Sequence, residues 1–146
     1  MQSKIKINSN LHILLSAEIP EIPTIFSLKV ALRMDARKCS THILDTSVGK
    51  AAANVRVTVS RLDEIQEWRS LRAAQTDADG RCLLLQPGQF PSGIYKLTFH
   101  VGAYYAERNV KTLYPAIDLI VDCSENQNYH IPLLLNPFGY STYRGT

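Results

Sequence analysis

Hydrophobic and polar residues alternate along much of the chain after residue 53, and this period of two is typical of half-buried strands. The segment ANVRVTVSR places Val55, Val57 and Val59 on one face and polar side chains on the other. The segment GIYKLTFHV repeats the pattern, with apolar side chains at every second position from Tyr95 to Val101. We therefore predict a strand in each segment.

The segments between and after these strands predict turns, one helix and further strands. TDADGRC is a turn in which aspartate side chains bond the local backbone and Gly80 supplies a positive φ. AYYAERN is predicted to be a helix of about two turns, which needs packing to be stable. PAIDLIVDC and NYHIPLLLNP are joined by the polar turn SENQ, which predicts a hairpin, and FGYSTYRGT predicts a last strand.

These elements together predict the fold class. About seven or eight short strands with frequent turns and one short helix favour an all-β, antiparallel β-sandwich over an α/β fold. The run IPLLL is apolar at every position, which a strand with one face in water does not tolerate. Either both faces are covered within one subunit or one face meets a neighbouring chain, and we favour the neighbour.

The N-terminal part differs in character from the rest. Residues 1–38 are predicted to be a poorly structured extension, and residues 39–146 the folded domain. Prolines and glutamates interrupt the apolar residues of the extension, so it predicts neither a helix nor a signal peptide. Met34 is a candidate start, which leaves residues 1–33 as an alternative-start extension or a targeting piece. No apolar run reaches the roughly 18 residues of a spanning helix, so no membrane association is predicted.

Composition narrows the classes of partner. The 146 residues are 45% hydrophobic and 20% charged with a net charge of +3, which is globular and suffices for one domain. The basic residues are scattered, so no nucleic-acid partner is predicted. The three cysteines are an odd count without a CxxC pair, which predicts reduced thiols and neither a disulfide framework nor a zinc site.

A few polar residues are candidates for chemistry. His130 lies in an apolar strand segment, where a buried imidazole needs a hydrogen-bond partner and is a suitable general base. Each candidate alone is more often structural: a histidine in a strand, an arginine after a turn, or a frayed tail. The set consists of His42, Arg81, His130, Tyr143, Arg144 and Thr146. No GxSxG elbow, phosphate loop, HExxH or EF-hand spacing is present, which lowers the weight of the functions that depend on them.

Four separated blocks resemble a known family: STHILDTSVGKAA, TDADGRC, YPAIDLIV and YHIPLLLNPFGYSTYRGT. Together they are similar to the transthyretin-like 5-hydroxyisourate hydrolases of purine catabolism, over about residues 40–146. The resemblance implies a prealbumin-type β-sandwich of about eight strands. It also implies a homotetramer, a dimer of dimers, with active sites in a channel where dimers meet.

The resemblance assigns roles to the central candidates. It implies metal-independent hydrolysis of the cyclic amide of 5-hydroxyisourate to 2-oxo-4-hydroxy-4-carboxy-5-ureidoimidazoline, without a cofactor. The family's two histidines match His42 and His130, and its arginine matches Arg81. We expect His130 to orient or deprotonate the water, Arg81 to bind substrate oxygens, and His42 to assist proton transfer or binding. The roles of the two histidines are interchangeable at this level.

The last residues match the Tyr-Arg-Gly-Ser end of the family, with Tyr143, Arg144, Gly145 and then Thr146 in place of serine. The tyrosine suits a planar heterocycle, the arginine adds positive charge for an anionic substrate, and the glycine lets the backbone come close. The threonine keeps the hydroxyl that would position the water or substrate. A second departure, Ala51 in place of the usual proline, concerns a loop and should matter little to the site.

Two other functions remain open at this point. The same fold serves the transthyretins, which carry hormones in the equivalent channel, so a small-molecule carrier is the main alternative. A plain structural or interaction sandwich is the second, although it leaves the two histidines and Arg81 unexplained as a set. Peroxisome and cytosol both remain as compartments, since the last residues are not an S-K-L-type signal.

Overall fold

The computed structural model describes residues 36–146, whose strands form two sheets. The strands are β1 (Cys39–Asp45), β2 (Lys50–Ala51), β3 (Arg56–Leu62), β4 (Trp68–Gln75), β5 (Arg81–Leu85), β6 (Ile94–Phe99), β7 (Ile117–Asp122), β8 (Tyr129–His130), β9 (Leu133–Asn136) and β10 (Gly139–Thr142). One helix, α1 (Val101–Ala106), lies between β6 and β7. The all-β class is therefore confirmed, with one short helix.

Strand β1 is the centre of the larger sheet. The order of this sheet is β10-β9-β1-β2, with β5 and β8 also paired to β1. The pairings of β1 with β8 and with β9 are parallel, whereas those with β2 and β5 are antiparallel. The second sheet has the order β4-β3-β6-β7 and is antiparallel throughout.

The alternating segments bury the side chains that their pattern predicts. Val57 and Val59 of β3 are fully buried, as are Leu97 and Phe99 of β6, which pair across the two strands. On the larger sheet, β1 alternates between buried and half-buried positions along its whole length. The core therefore lies between the two sheets, and each sheet keeps one face outside it.

The predicted hairpin between PAIDLIVDC and NYHIPLLLNP is wrong. Strand β7 pairs with β6 in the smaller sheet, whereas β8 and β9 pair with β1 in the larger one. The SENQ turn therefore crosses between layers. Both segments have partners distant in sequence, and packing against these partners outweighs the local turn signal.

The run IPLLL is covered largely within the subunit. Its residues follow β8 and enter β9, so they do not form one continuous strand. Ile131, Pro132, Leu133 and Leu135 are buried, and Leu134 is half-buried. The segment by itself therefore does not require a neighbouring chain.

The helix and one strand differ from the sequence prediction. Helix α1 begins at Val101, which the alternation assigned to the preceding strand, and it ends at Ala106 instead of extending through AYYAERN. It buries Tyr104 and Tyr105 against the core. Strand β4 was not predicted, because it lies at a sheet edge and most of its side chains are exposed, which weakens the alternation.

The described part of the chain is already anchored before β1. Arg37 is buried, and its guanidinium donates hydrogen bonds to the carbonyls of Phe90 at 2.6 Å, Glu125 at 2.8 Å and Cys123 at 3.2 Å. Thus Arg37, which the sequence prediction placed in the extension, contacts the sandwich. Residues 1–35, including Met34, lie outside the described residues, and the division into extension and domain stays a prediction.

The turn before β5 forms as TDADGRC predicts. Oδ1 of Asp77 accepts hydrogen bonds from the backbone N–H groups of Asp79 and Arg81, each at 2.9 Å. Gly80 has a φ of +72°, and a Cβ placed there would lie 2.5 Å from the carbonyl oxygen of Ile43. This close approach brings the start of β5 against β1.

We expect Gly80→Ala to lower the free energy of unfolding by about 2–4 kcal/mol. An alanine with this positive φ costs about 1 kcal/mol, and relieving the contact with Ile43 costs about 1–3 kcal/mol more. Urea denaturation at fixed protein concentration measures the difference.

Gly49→Ala is the matched control, because Gly49 has a φ of +65° but open space where the Cβ would lie. It should cost only the conformational part, about 1 kcal/mol. Equal losses for the two variants would contradict the proposed contact between the turn and β1.

Candidate functional site

The pairing of β1 with β5 brings two candidate residues together. His42 and Arg81 are direct cross-strand partners in this antiparallel pair. Side chains of such partners project from the same face, with Cβ atoms about 5 Å apart. The neighbours of His42 in β1, Thr41 and Ile43, are buried, so His42 lies on the outer face of the larger sheet.

The third candidate reaches this face from the other edge of β1. His130 ends β8, which runs parallel to β1 with His130 in register with Ser40. Oγ of Ser40 lies 2.9 Å from Nδ1 of His130 in a hydrogen bond. Ser40 precedes His42 by two residues and shares its face of the strand. The structure therefore gathers His42, Arg81 and His130 around β1.

The C-terminal segment contacts this cluster through its backbone. The N–H of Gly145 donates to the carbonyl of His130 at 2.8 Å, and the two residues form an isolated antiparallel bridge. A Cβ at residue 145 would lie 2.4 Å from Cδ2 of the His130 ring. Only glycine fits this approach without a displacement of the imidazole.

A cavity of about 470 Å³ opens beside the cluster. Its lining includes the functional candidates Arg81 and His130 together with further, mostly polar or charged, residues, and the whole set comes from four strands and two loops. The lining residues are Ser40, Thr41, Arg72, Gln75, Asp77, Arg81, Cys82, Leu83, Gln86 and His130. The cavity thus offers hydrogen-bond donors and acceptors for a small polar ligand.

The remaining candidates lie at the surface of the single subunit. Tyr143 is 56% exposed, and Thr146 is also exposed. Arg144 is exposed, and its guanidinium donates a hydrogen bond to Oε1 of Gln127. These three side chains are not part of the cavity lining, whereas Gly145 between them touches His130.

The surroundings of His130 favour the neutral imidazole. Its pKa is lowered from the ordinary value of about 6.5, first by burial and then by the charges of Arg81 and His42. The folded state therefore binds this proton less readily than the unfolded chain. The free energy of unfolding is therefore unaffected by this group above about pH 6.5. It decreases as the pH falls through the lowered pKa, because protonation of His130 costs more in the folded state than in the unfolded chain.

Sequence reasoning missed several residues of the site. Ser40 was detectable, because it lies two positions before His42 and therefore on the same face of any strand. Arg72 and Gln75 belong to the unpredicted β4, so no sequence signal pointed to them. Asp77 was recognised only as a turn residue, and it also lines the cavity.

Within residues 36–146, no group of three or more His, Cys, Asp or Glu side chains is placed to hold a metal ion. No helix in that part of the chain is both long and apolar enough to cross a membrane. Cys39 and Cys123 are buried, and burial raises the pKa of each thiol to about 12, so neither is a reactive nucleophile.

Fold and site together define a transthyretin-type β-sandwich protein that carries a histidine and arginine cluster on the outer face of one sheet. Comparison with known proteins identifies the family. The profile of the HIUase/Transthyretin family matches residues 39–145. The chain belongs to this family.

Individual relatives are similar over most of the chain. The 5-hydroxyisourate hydrolase of Mus musculus is 42% identical over 110 residues, which cover 73% of this chain and 93% of that protein. The solved structure of Klebsiella pneumoniae 5-hydroxyisourate hydrolase superposes with a TM-score of 0.67 at 34% identity, covering 75% of this chain and 99% of the other. Sea bream transthyretin in complex with thyroxine gives a TM-score of 0.70 at 28% identity, covering 74% and 94%.

We expect the NMR titration of His130 to give a pKa below 6.5. Arg81→Gln should raise this pKa, because it removes a neighbouring positive charge, but should not restore the ordinary value, since burial is the larger cause.

Arg81→Lys is the control that keeps the charge and changes the shape. It should leave the pKa of His130 nearer to that of the wild type than Arg81→Gln does. A wild-type pKa at or above 6.5 would contradict the electrostatic account of the site.

Proposed function

We propose that this protein hydrolyses 5-hydroxyisourate by opening its cyclic amide. The observation that carries the proposal is the cluster of His130, Arg81 and His42 around β1, in which His130 and Arg81 line one cavity and the pKa of His130 is lowered. It is supported by the similarity to proteins named 5-hydroxyisourate hydrolase from mouse and Klebsiella pneumoniae. Ring opening then gives 2-oxo-4-hydroxy-4-carboxy-5-ureidoimidazoline.

Amide hydrolysis requires a base for the water and a positive group for the developing oxyanion. His130, kept neutral, takes a proton from water while the water oxygen bonds to the amide carbon. Arg81 binds the carbonyl oxygen, on which negative charge accumulates, through its planar guanidinium. The carbon–nitrogen bond then breaks, and the ring nitrogen takes up the proton held by the histidine. No step in this sequence calls for a cofactor.

The other candidates receive supporting roles in this proposal. His42 lies beside Arg81 and assists binding or proton transfer, because its imidazole both donates and accepts hydrogen bonds. Thr146 positions the water or the substrate with its hydroxyl. Tyr143 and Arg144 bind the planar, anionic substrate by stacking and charge.

These roles for the tail require an assembly of subunits. We propose a homotetramer, a dimer of dimers, in which the cluster-bearing sheet faces line a shared channel. Arg81 is exposed in the single subunit, and the apolar side chains of Leu83, Phe138 and Tyr140 are 40%, 69% and 42% exposed. Subunit contacts would cover such surface and bring the tail side chains to a site.

We also propose a reducing compartment, the cytosol or the peroxisome. Cys39, Cys82 and Cys123 are all free thiols in the described part of the chain. Proteins of oxidising compartments commonly pair their cysteines instead.

The main alternative is a carrier of small molecules. It is favoured by the structural similarity to sea bream transthyretin, whose structure contains thyroxine. A carrier needs no base beside an arginine, so the His130 and Arg81 pair is the feature that favours hydrolysis. Turnover measurements separate the two functions.

The direct test follows the absorbance of 5-hydroxyisourate that urate oxidase generates in the cuvette. We expect its decay to accelerate in the presence of the full chain, and the acceleration to vanish with His130→Ala. A correctly folded tetramer without acceleration would overturn the proposal and favour the carrier.

We expect Arg81→Ala to lower kcat/KM by on the order of a hundredfold or more, because it removes a donor aimed at the oxyanion. The absorbance assay gives the value, and circular dichroism checks the fold.

Arg56→Ala is the matched control, because Arg56 is an exposed arginine of β3 in the other sheet. It should leave kcat/KM within about twofold of the wild type, as surface substitutions usually do. Near-native activity of a folded Arg81→Ala variant would remove Arg81 from the mechanism.

Deletion of residues 143–146 should abolish turnover and leave the tetramer largely intact. The deletion removes three proposed binding groups and the Gly145 bridge to His130, but none of the buried core. Size-exclusion chromatography with light scattering reports the assembly, and an active truncated tetramer would show that the tail does not build the site.

A further inference from the structure

We propose that Ser40 and Gly145 are positioning residues that hold the imidazole of His130 from two sides. Ser40 accepts the hydrogen of Nδ1, and Gly145 packs against the Cδ2 edge. The ring nitrogen left for the reaction is then Nε2, with its lone pair free. This inference rests on the proposed hydrolysis and adds the groups that orient its base.

The backbone around His130 is fixed first. The N–H of Ile131 donates to the carbonyl of Ser40 at 2.9 Å, and the hydroxyl of Thr41 donates to the carbonyl of Ile131 at 2.7 Å. The carbonyl of His130 itself accepts from Gly145 at 2.8 Å. The Cα of His130 therefore has little freedom, and only the side-chain torsions remain to be fixed.

The serine hydroxyl fixes the orientation of the ring. A 180° flip of the imidazole would replace Nδ1 by a carbon and lose the 2.9 Å hydrogen bond to Oγ of Ser40. The ring plane is thus tied to β1, the strand that also carries His42. Both histidines are positioned by one rigid element.

The neighbouring charges favour one tautomer over the other. A neutral imidazole carries its hydrogen on Nδ1 or on Nε2, and a serine hydroxyl can accept or donate accordingly. Arg81 lines the same cavity as His130 and offers only donors, so a lone pair on Nε2 is favourable on this side of the ring and a hydrogen is not. The hydrogen consequently belongs on Nδ1, donated to Ser40.

The other charged groups around the site are compatible with this assignment. His42 projects from β1, and Arg72 and Asp77 line the same cavity from β4 and the turn before β5. Oδ1 of Asp77 is occupied by two backbone N–H groups. The guanidinium of Arg144 is bonded to Gln127. The partner of Nδ1 in the described structure is therefore the neutral hydroxyl of Ser40.

Gly145 confines the imidazole of His130 on its Cδ2 side. A Cβ at this residue would lie 2.4 Å from Cδ2 and 3.1 Å from Cγ of His130. A side chain at residue 145 would push the imidazole away from Ser40 or break the bridge to residue 130. The glycine therefore acts on the geometry of the base, apart from any contact with substrate.

The arrangement matters most when the histidine becomes charged. As water transfers its proton to Nε2, both ring nitrogens carry hydrogens, and the Nδ1–H to Ser40 bond becomes charge-assisted. The proton then passes to the leaving nitrogen as the carbon–nitrogen bond breaks, and the neutral tautomer returns. Because this stabilisation appears only after substrate binding, it affects kcat and leaves KM nearly unchanged.

Ser40→Ala tests the hydroxyl in the full chain. We expect kcat to fall about 10- to 100-fold, the range for a hydrogen bond to a charged group, with KM within about twofold. Ser40→Thr keeps the hydroxyl and should recover most of kcat. The matched control is Ser60→Ala, a half-buried serine of β3 outside the cavity, which should behave as the wild type.

The tautomer itself is read by NMR of ¹⁵N-labelled histidine above pH 7, with the signals of His130 assigned by their loss in His130→Gln. We expect hydrogen on Nδ1 in the wild type and a changed tautomer distribution in Ser40→Ala. Hydrogen on Nε2 in the wild type would overturn the proposal, as would wild-type kcat in Ser40→Ala. This spectrum needs no turnover, so it decides the positioning even if the protein fails to hydrolyse 5-hydroxyisourate.

Gly145→Ala tests the second contact, with Gly139→Ala as its control. At Gly139 a Cβ would meet only the side chain of Asn136, at 3.5 Å. We expect Gly145→Ala to lower kcat at least tenfold with the tetramer retained, and Gly139→Ala to lower it less than twofold. Equal activity of the two variants would remove Gly145 from the positioning of His130.

Discussion

The pairing of β1 on both of its edges determines where the site forms. Cys39 pairs with Leu85 of β5 on one edge and with Tyr129 of β8 on the other, so a single strand joins two segments that follow it by 46 and 90 residues in the chain. The same ladder makes Arg81 the partner of His42, and His130 the partner of Ser40. A shift of one residue would turn these side chains into the core and put apolar residues outside. The buried face of β1 therefore fixes the register of the strand pairs, and this register determines where the candidate site residues lie.

The block STHILD has two structural roles, because its residues in β1 point alternately to the core and to the outer face of the sheet. Thr41 and Asp45 point inward, where the hydroxyl of Thr41 holds the carbonyl of Ile131 and the carboxylate of Asp45 accepts hydrogen bonds from Ser47 and Tyr104. Ser40 and His42 point outward to the cluster. A short sequence block thus encodes both a structural network and two outer-face residues of the candidate site, because alternation assigns neighbouring residues to opposite faces.

Much of the fold follows from alternation, and the failures have physical causes. Strands β3 and β6 were predicted because each has one face in the core and one in solvent. The edge strand β4 was not predicted, since an exposed edge strand shows little alternation of apolar and polar residues. The connection from β7 to β8 was predicted to be a hairpin because a local turn signal does not indicate which distant strands will pair. The structure brings together His42, Arg81 and His130, but their catalytic roles stay predictions. The side chains of Tyr143, Arg144 and Thr146 face solvent in one subunit. Their proposed roles therefore depend on contacts with neighbouring subunits, which neither the sequence nor a single subunit contains.

The proposed hydrolysis of 5-hydroxyisourate depends on a neutral His130, held between Arg81, His42 and Ser40, that acts as the base. Its sharpest test is the pH dependence of kcat/KM, corrected for spontaneous decay of the substrate and compared with the NMR titration of His130 in the same buffers. We predict that log kcat/KM is level near pH 7 and falls with unit slope below an apparent pKa that lies under 6.5 and matches the titration of His130. A rate that stays level through the titration of His130, or rises as His130 becomes protonated, would contradict the account.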